Sequence, residues 1–161
     1  GAGGYTMPLP EKDEMYLTKG KMLQDIVVCL GGRIAESLVF DDVTTGAVQD
    51  IRQATERARD MVTKYGFSDE LGMINYSTSD DEVFIGREIG HAKNFSEGTA
   101  AVIDQEVKRI IEGCREKATK ILKENRKVLD KLAELLIEKE RIGQQEFEAL
   151  FEQNDETIEE M

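Results

Sequence analysis

The run Met22-Leu23-Gln24-Asp25-Ile26-Val27-Val28-Cys29-Leu30-Gly31-Gly32-Arg33-Ile34-Ala35-Glu36-Ser37-Leu38-Val39 carries its apolar residues at a helical period. Met22, Ile26, Cys29, Leu30 and Ile34 fall at the spacing that stacks side chains on one helix face. Val27, Val28, Leu38 and Val39 widen the stripe toward burial on all sides. Thr18 stands where its hydroxyl can cap the first turn. Gly31 and Gly32 sit in the middle of this helix, each costing about 1 kcal/mol relative to alanine. A helix that carries that cost is expected to need close backbone approach there, for tight packing or for a site.

Downstream the same period repeats. Phe40 to Gly46 reads as a loop, with Thr45 expected to cap a second helix over about 47–65, whose stripe is Ile51, Ala54, Ala58, Met61 and Val62. Gly66 is placed to stop it. Residues 67–95 lack a helical period; Leu71–Tyr76 and Glu82–Gly86 are expected as short strands around a turn-like Ser77–Asp81, and the single histidine, His91, reads as a loop or surface residue. Ser96 then caps a long helix, 97–124, with Ile103, Val107, Ile110, Ile111, Cys114, Ala118, Ile121 and Leu122 on one face. A break at Asn125 leads to a fourth helix through Val128, Leu129, Leu132, Ala133, Leu135 and Leu136, closed by Arg141-Ile142-Gly143. A short last helix bears Phe147, Leu150 and Phe151, and the acidic tail 154–161 is expected to fray.

The front of the chain is different in kind. Gly1 to Gly4 runs into Tyr5-Thr6-Met7-Pro8-Leu9-Pro10, and two prolines restrict it to an extended edge strand or arm. An edge strand at this point leaves its pairing partner unaccounted for, as expected of a piece excised from a longer polypeptide. The expected fold is therefore mainly α: an extended arm (1–16), a helix pair (17–66), an irregular segment (67–95), a bundle of C-terminal helices (96–153) and the tail.

Composition narrows the function. The chain has 161 residues and a formal charge of −12, a sign opposed to nucleic acid as a partner. No apolar run approaches the roughly 20 residues of a membrane span, and no secretory signal is present. Cys29 and Cys114 lie within apolar helical patterns and read as buried free thiols of a reducing compartment. No phosphate-binding loop or nucleophile elbow occurs. A catalytic zinc takes three protein ligands, usually including imidazoles or thiolates, and one histidine does not fill that quota. No catalytic residue is assigned, and the chain by itself is not expected to be a self-sufficient enzyme. Its 33 acids read as solvated helix faces, with Asp50 singled out because it lies one turn into a helix behind Thr44-Thr45-Gly46-Ala47. An acid there complements the helix dipole, and it also stands where a side chain can be held at a cleft.

Several separate motifs, in order, carry a resemblance: Gly4-Tyr5-Thr6-Met7-Pro8-Leu9-Pro10; Leu30-Gly31-Gly32-Arg33-Ile34-Ala35-Glu36; Thr45-Gly46-Ala47-Val48-Gln49-Asp50-Ile51; Ala54-Thr55; Ala58-Arg59 with Met61-Val62; and Tyr65-Gly66-Phe67-Ser68. Over Gly3 to about Phe151 the chain resembles the peptidase domain of the FtsH family of membrane-bound, ATP-dependent zinc metalloproteases. The resemblance implies that Asp50, in the T-G-A-x-x-D motif, is the third zinc ligand. Two histidines and a water-activating glutamate would come from an H-E-x-x-H helix upstream of Gly4. Gly4, Tyr5, Thr6 and Met7 would bind substrate by strand addition. Gly31, Gly32, Thr45 and Gly46 would support the site. ATP and Mg would enter only through the AAA+ module, outside this chain, as is the membrane anchor.

The same resemblance implies a parent protease acting on membrane and cytosolic proteins, hexameric, at the cytoplasmic side of a membrane. The present piece alone is expected to be inactive, soluble, without direct membrane contact, and prone to self-associate through apolar faces around Met22–Ile34 and Ile51–Met61. The competing expectation is a non-catalytic helical module for interaction or oligomerisation.

Overall fold

The computed structural model describes residues 6–7, 16–40, 42–77 and 95–159, with side chains as far as residue 152. It is mainly α, as the periodicity requires. Helix α1 spans Lys19–Val39, α2 Val48–Thr63, α3 Glu97–Glu124, α4 Arg126–Lys139 and α5 Gln144–Glu159, with a 3-10 turn, Thr45–Ala47, leading into α2. Helices α1, α2 and α3 pack on one another in all three pairings, and α4 and α5 form a hairpin that touches the end of α3.

The caps set the helix limits. The Lys21 N–H donates to Thr18 Oγ1 at 3.1 Å and the Thr99 N–H to Ser96 Oγ at 3.2 Å, each satisfying a donor that the first turn leaves free. The core lies between the three long helices: Met22, Ile26, Leu30 and Ile34 of α1, Ala54, Ala58, Met61 and Val62 of α2, and Ile103, Val107, Ile110, Cys114 and Ala118 of α3. Alanine at two α2 positions lets that helix approach its neighbours closely. Asp25 and Arg57 pair across α1 and α2, and Arg126 Nη1 donates to the Leu38 carbonyl at 3.0 Å, tying α4 to the end of α1.

Burial on α1 is one-sided rather than all-round. Val28 is 75% exposed, and a Cβ built on Gly31 or Gly32 meets nothing within 4 Å among the described residues. The close approach expected at these glycines is therefore not made by α2 or α3, which pack on the Met22–Ile34 stripe instead. That stripe is also buried, together with Ala54 and Met61, while Val28 on α1 and Ile51 on α2 stay exposed, so the two faces are covered only in part from within the chain.

Behind α2 the chain turns at Gly66, whose φ of 62° is one that side chains rarely adopt, and a Cβ there would come within 3.1 Å of Met73 Cα. Leu71–Tyr76 is not a strand. Its Tyr76 N–H donates to the Thr63 carbonyl at 2.7 Å, so it satisfies a free helix-end acceptor rather than a ladder partner. No strand occurs among the described residues; the Glu82–Gly86 strand and most of the front edge strand fall outside them, and Thr6 and Met7 carry no regular structure. The loop is fastened to α3 by Glu106, which is 4% exposed. Its carboxylate accepts from Ser68 Oγ at 2.7 Å and from Arg109 Nε and Nη2 at 2.8 Å each. The Arg109 bonds, then Ser68, outweigh burial and hold this carboxyl at about 2. Glu106 is thus a buried acid where the pattern of the sequence placed a solvated one.

At the C-terminal end, Glu140 closes α4 in the left-handed conformation, and α5 runs on to Glu159 through residues expected to fray; glutamates there are good helix formers.

Candidate metal-ligand site

The approach to α2 is built from the carboxylate of one helix and the hydroxyl of one loop residue. The cap is Thr44, one residue earlier than the sequence suggested, because the 3-10 turn intervenes before α2. Its Oγ1 accepts from the Gly46 N–H at 3.1 Å. The same hydroxyl donates to Glu36 Oε1 at 2.9 Å, and the Thr44 N–H donates to Glu36 Oε2 at 3.2 Å. The backbone bond first, then the hydroxyl, hold the Glu36 carboxyl below the usual carboxylate range, with Arg33 adding to the effect. Gly46 fits this corner because a Cβ there would stand 3.2 Å from Thr44 Oγ1. The N-cap of α2 itself, Ala47, offers no side-chain bond.

Asp50 projects from the first turn of α2, exposed, with no hydrogen bond or ion pair to its carboxylate among the described residues. It is within electrostatic reach of α1. The Cys29 thiol is pushed up chiefly by burial, Arg57 opposes that rise, and Asp50 and Asp25 add to it. A carboxylate at a fixed turn, both oxygens without a partner among the described residues, fits one position of a divalent-metal shell. It does not make a whole one: no cluster of three or more histidine, cysteine, aspartate or glutamate side chains occurs among the described residues.

The structure therefore brings Asp50, Thr45 and Gly46 together at one junction and adds Glu36 and Thr44, which the motif reading did not single out as functional. Gly31 and Gly32 lie mid-way along α1 with open space outside them. Thr6 and Met7 are exposed and form no hydrogen bond or ion pair among the described residues; Gly4, Tyr5 and His91 lie outside those residues. No described helix is long and apolar enough to cross a membrane.

The junction thus presents an exposed carboxylate at a helix start, with no cluster of further metal-binding side chains around it among the described residues. The sequence profile of peptidase family M41 matches residues 1–150, and the chain belongs to that family. Its curated relatives carry the name ATP-dependent zinc metalloprotease FtsH. The chain is 52% identical to FtsH 1 of Thermoanaerobacter sp. (strain X514) over 154 residues, 96% of this chain and 25% of that protein. It is 53% identical to the protein of Caldicellulosiruptor bescii over 92% of this chain and 24% of the relative, and 43% identical to that of Thermotoga maritima over 96% and 25%. The chain thus spans about a quarter of the length of these relatives.

Proposed function

We propose that this chain is the part of a zinc metalloendopeptidase domain that supplies the third metal ligand, Asp50, while the two remaining ligands and the general base come from a preceding H-E-x-x-H helix of the intact protein. The carboxylate of Asp50, without a partner among the described residues and on a braced turn, is the observation that carries this reading. Zinc, when bound, supplies Lewis-acid polarisation of the scissile carbonyl. This chain's own contribution is geometric: Asp50 presents an oxygen from the first turn of α2, and the segment Gly4 to Met7 offers main-chain groups to an extended substrate. ATP and Mg act through the AAA+ module of the parent, a hexameric protease of membrane and cytosolic proteins at the cytoplasmic side of a membrane.

Alone, the chain is inactive in this reading, since a lone carboxylate holds zinc weakly. The test is elemental analysis and peptide hydrolysis on the intact protein, with and without Asp50→Ala. One zinc per chain, lost together with proteolysis in the variant, is the expected result; full zinc and full proteolysis after the substitution would overturn the assignment. In parallel, the isolated chain is expected to carry no stoichiometric zinc.

A second reading, association of copies, is supported by the apolar residues left exposed on α4 and α5. Ile137 is 85% exposed, and Leu136, Phe147 and Phe151 are each more than a third exposed. Sedimentation that gave only monomer over a wide concentration range would remove it.

A further inference from the structure

Asp50 has no bond of its own among the described residues, so its placement there depends on what fixes the turn in front of it. That turn is short and regular. Residues 45–47 are a 3-10 turn and 48–50 open α2, so a displacement of Thr44 is passed to Asp50 with little slack. Thr44 is in turn held by both oxygens of one carboxylate, Oε2 on its N–H at 3.2 Å and Oε1 on its hydroxyl at 2.9 Å. A two-point grip sets orientation as well as distance, where a single bond would leave a swivel. The carboxylate belongs to Glu36, on α1 two residues beyond Ile34, which is buried in the core. The path from the core to the candidate ligand therefore runs Ile34, Glu36, Thr44, Asp50. Both Glu36 oxygens are engaged by Thr44, whereas both Asp50 oxygens are free of protein partners among the described residues.

We propose that Glu36 is a positioning residue for the metal ligand Asp50: it does not touch the metal, and its bidentate hold on Thr44 fixes the turn from which Asp50 projects. The inference rests on the reading of Asp50 as a zinc ligand. Outer partners that orient a metal ligand typically contribute 10–100-fold to metal affinity.

The experiment uses the intact protein and measures zinc affinity by chelator competition, together with amide exchange over residues 43–50 in the metal-free state. Glu36→Gln replaces one of the two accepting oxygens by an N–H2 that faces a donor, and Thr44→Val removes the hydroxyl while leaving α1 unaltered. Each is expected to weaken zinc binding about 10–100-fold and to speed exchange at Gly46. In the Asp50→Ala background, Glu36→Gln is expected to add no further loss, because it acts through Asp50. Unchanged affinity in both Glu36→Gln and Thr44→Val overturns the proposal, as does a Glu36→Gln loss that persists in full without Asp50, the mark of a direct ligand. If Asp50→Ala itself leaves zinc affinity intact, the underlying assignment falls first. Exchange at Gly46 then separates that failure from a failure of the hold on the turn.

Discussion

Helix α2 is fastened at both ends by the same device, a carboxylate of a neighbouring helix accepting from a hydroxyl in the flanking loop. At the front, Glu36 of α1 takes Thr44; at the back, Glu106 of α3 takes Ser68. The settings differ. Glu106 is buried and clamped by Arg109 as well, while the Glu36–Thr44 pair lies at the surface. A hydrogen bond cut off from water is costly to lose, because the group left behind finds no substitute; at the surface, water replaces it. On the proposed reading the back end serves stability and the front end geometry, and Asp50, without a partner among the described residues, stands at the front.

The contrast is most exposed to test at the back. Glu106→Ala strands the buried Ser68 hydroxyl and frees Arg109, and is expected to cost roughly 2–3 kcal/mol in urea unfolding; a loss within error of zero would erase the distinction between the two ends. The same carboxyl predicts a pH dependence. Its folded value, about 2, lies below its ordinary 4.5, so its contribution is complete above about 4.5 and is lost as pH falls from there toward about 2. Wild type and Glu106→Gln should differ in stability at neutral pH and converge near the bottom of that window. Curves that stay parallel from pH 7 to pH 2 would show the carboxylate to be uninvolved.

Two glycines sharpen the comparison at an intermediate size. Gly66→Ala forces a side chain into positive φ and to within 3.1 Å of the Met73 backbone, with an expected loss of about 2 kcal/mol. Gly46→Ala meets side-chain tips, the Thr44 hydroxyl at 3.2 Å and Glu36 Oε1 at 3.9 Å, which can rotate away. It should leave the unfolding midpoint near wild type while loosening the turn, seen as faster amide exchange at position 46. Equal effects on the midpoint would mean that the two ends are braced alike.

Legibility in the sequence tracks the range of each signal. The limits of α1 at its start and of α3 at both ends were readable because cap and period are local: Thr18, Ser96 and Asn125 sit where the structure uses them. The exposed face of α1 was not, since Val28 and Val27 are equally apolar and only the positions of α2 and α3 decide which is covered. Leu71–Tyr76 alternates enough to suggest a strand, but a strand needs a partner and this segment finds a helix end. Glu106 had a readable sign, falling three residues after Ile103 on the buried stripe, yet an acid on an amphipathic helix is ordinarily solvated, and its partners Ser68 and Arg109 are supplied by the fold. At the candidate site, Asp50 stood out through its motif. Glu36 did not, because the Thr44 it holds is eight residues away and only the turn between α1 and α2 brings them together.

The smallest effect expected is also the one that separates the two carboxylates most cleanly. Glu36→Gln alters an exposed pair, so the global unfolding midpoint of the chain should stay where it is in wild type, in contrast to Glu106→Gln. A surface interaction is exchanged for water at little net change, and α1 keeps its buried stripe. The loss should instead be local, with faster exchange at Thr44 and Gly46 and none at Ile26 or Met61, which report the core. Global and local readouts moving together would mean that the front turn is part of the cooperative core, and that Glu36 and Glu106 do the same work at the two ends of α2.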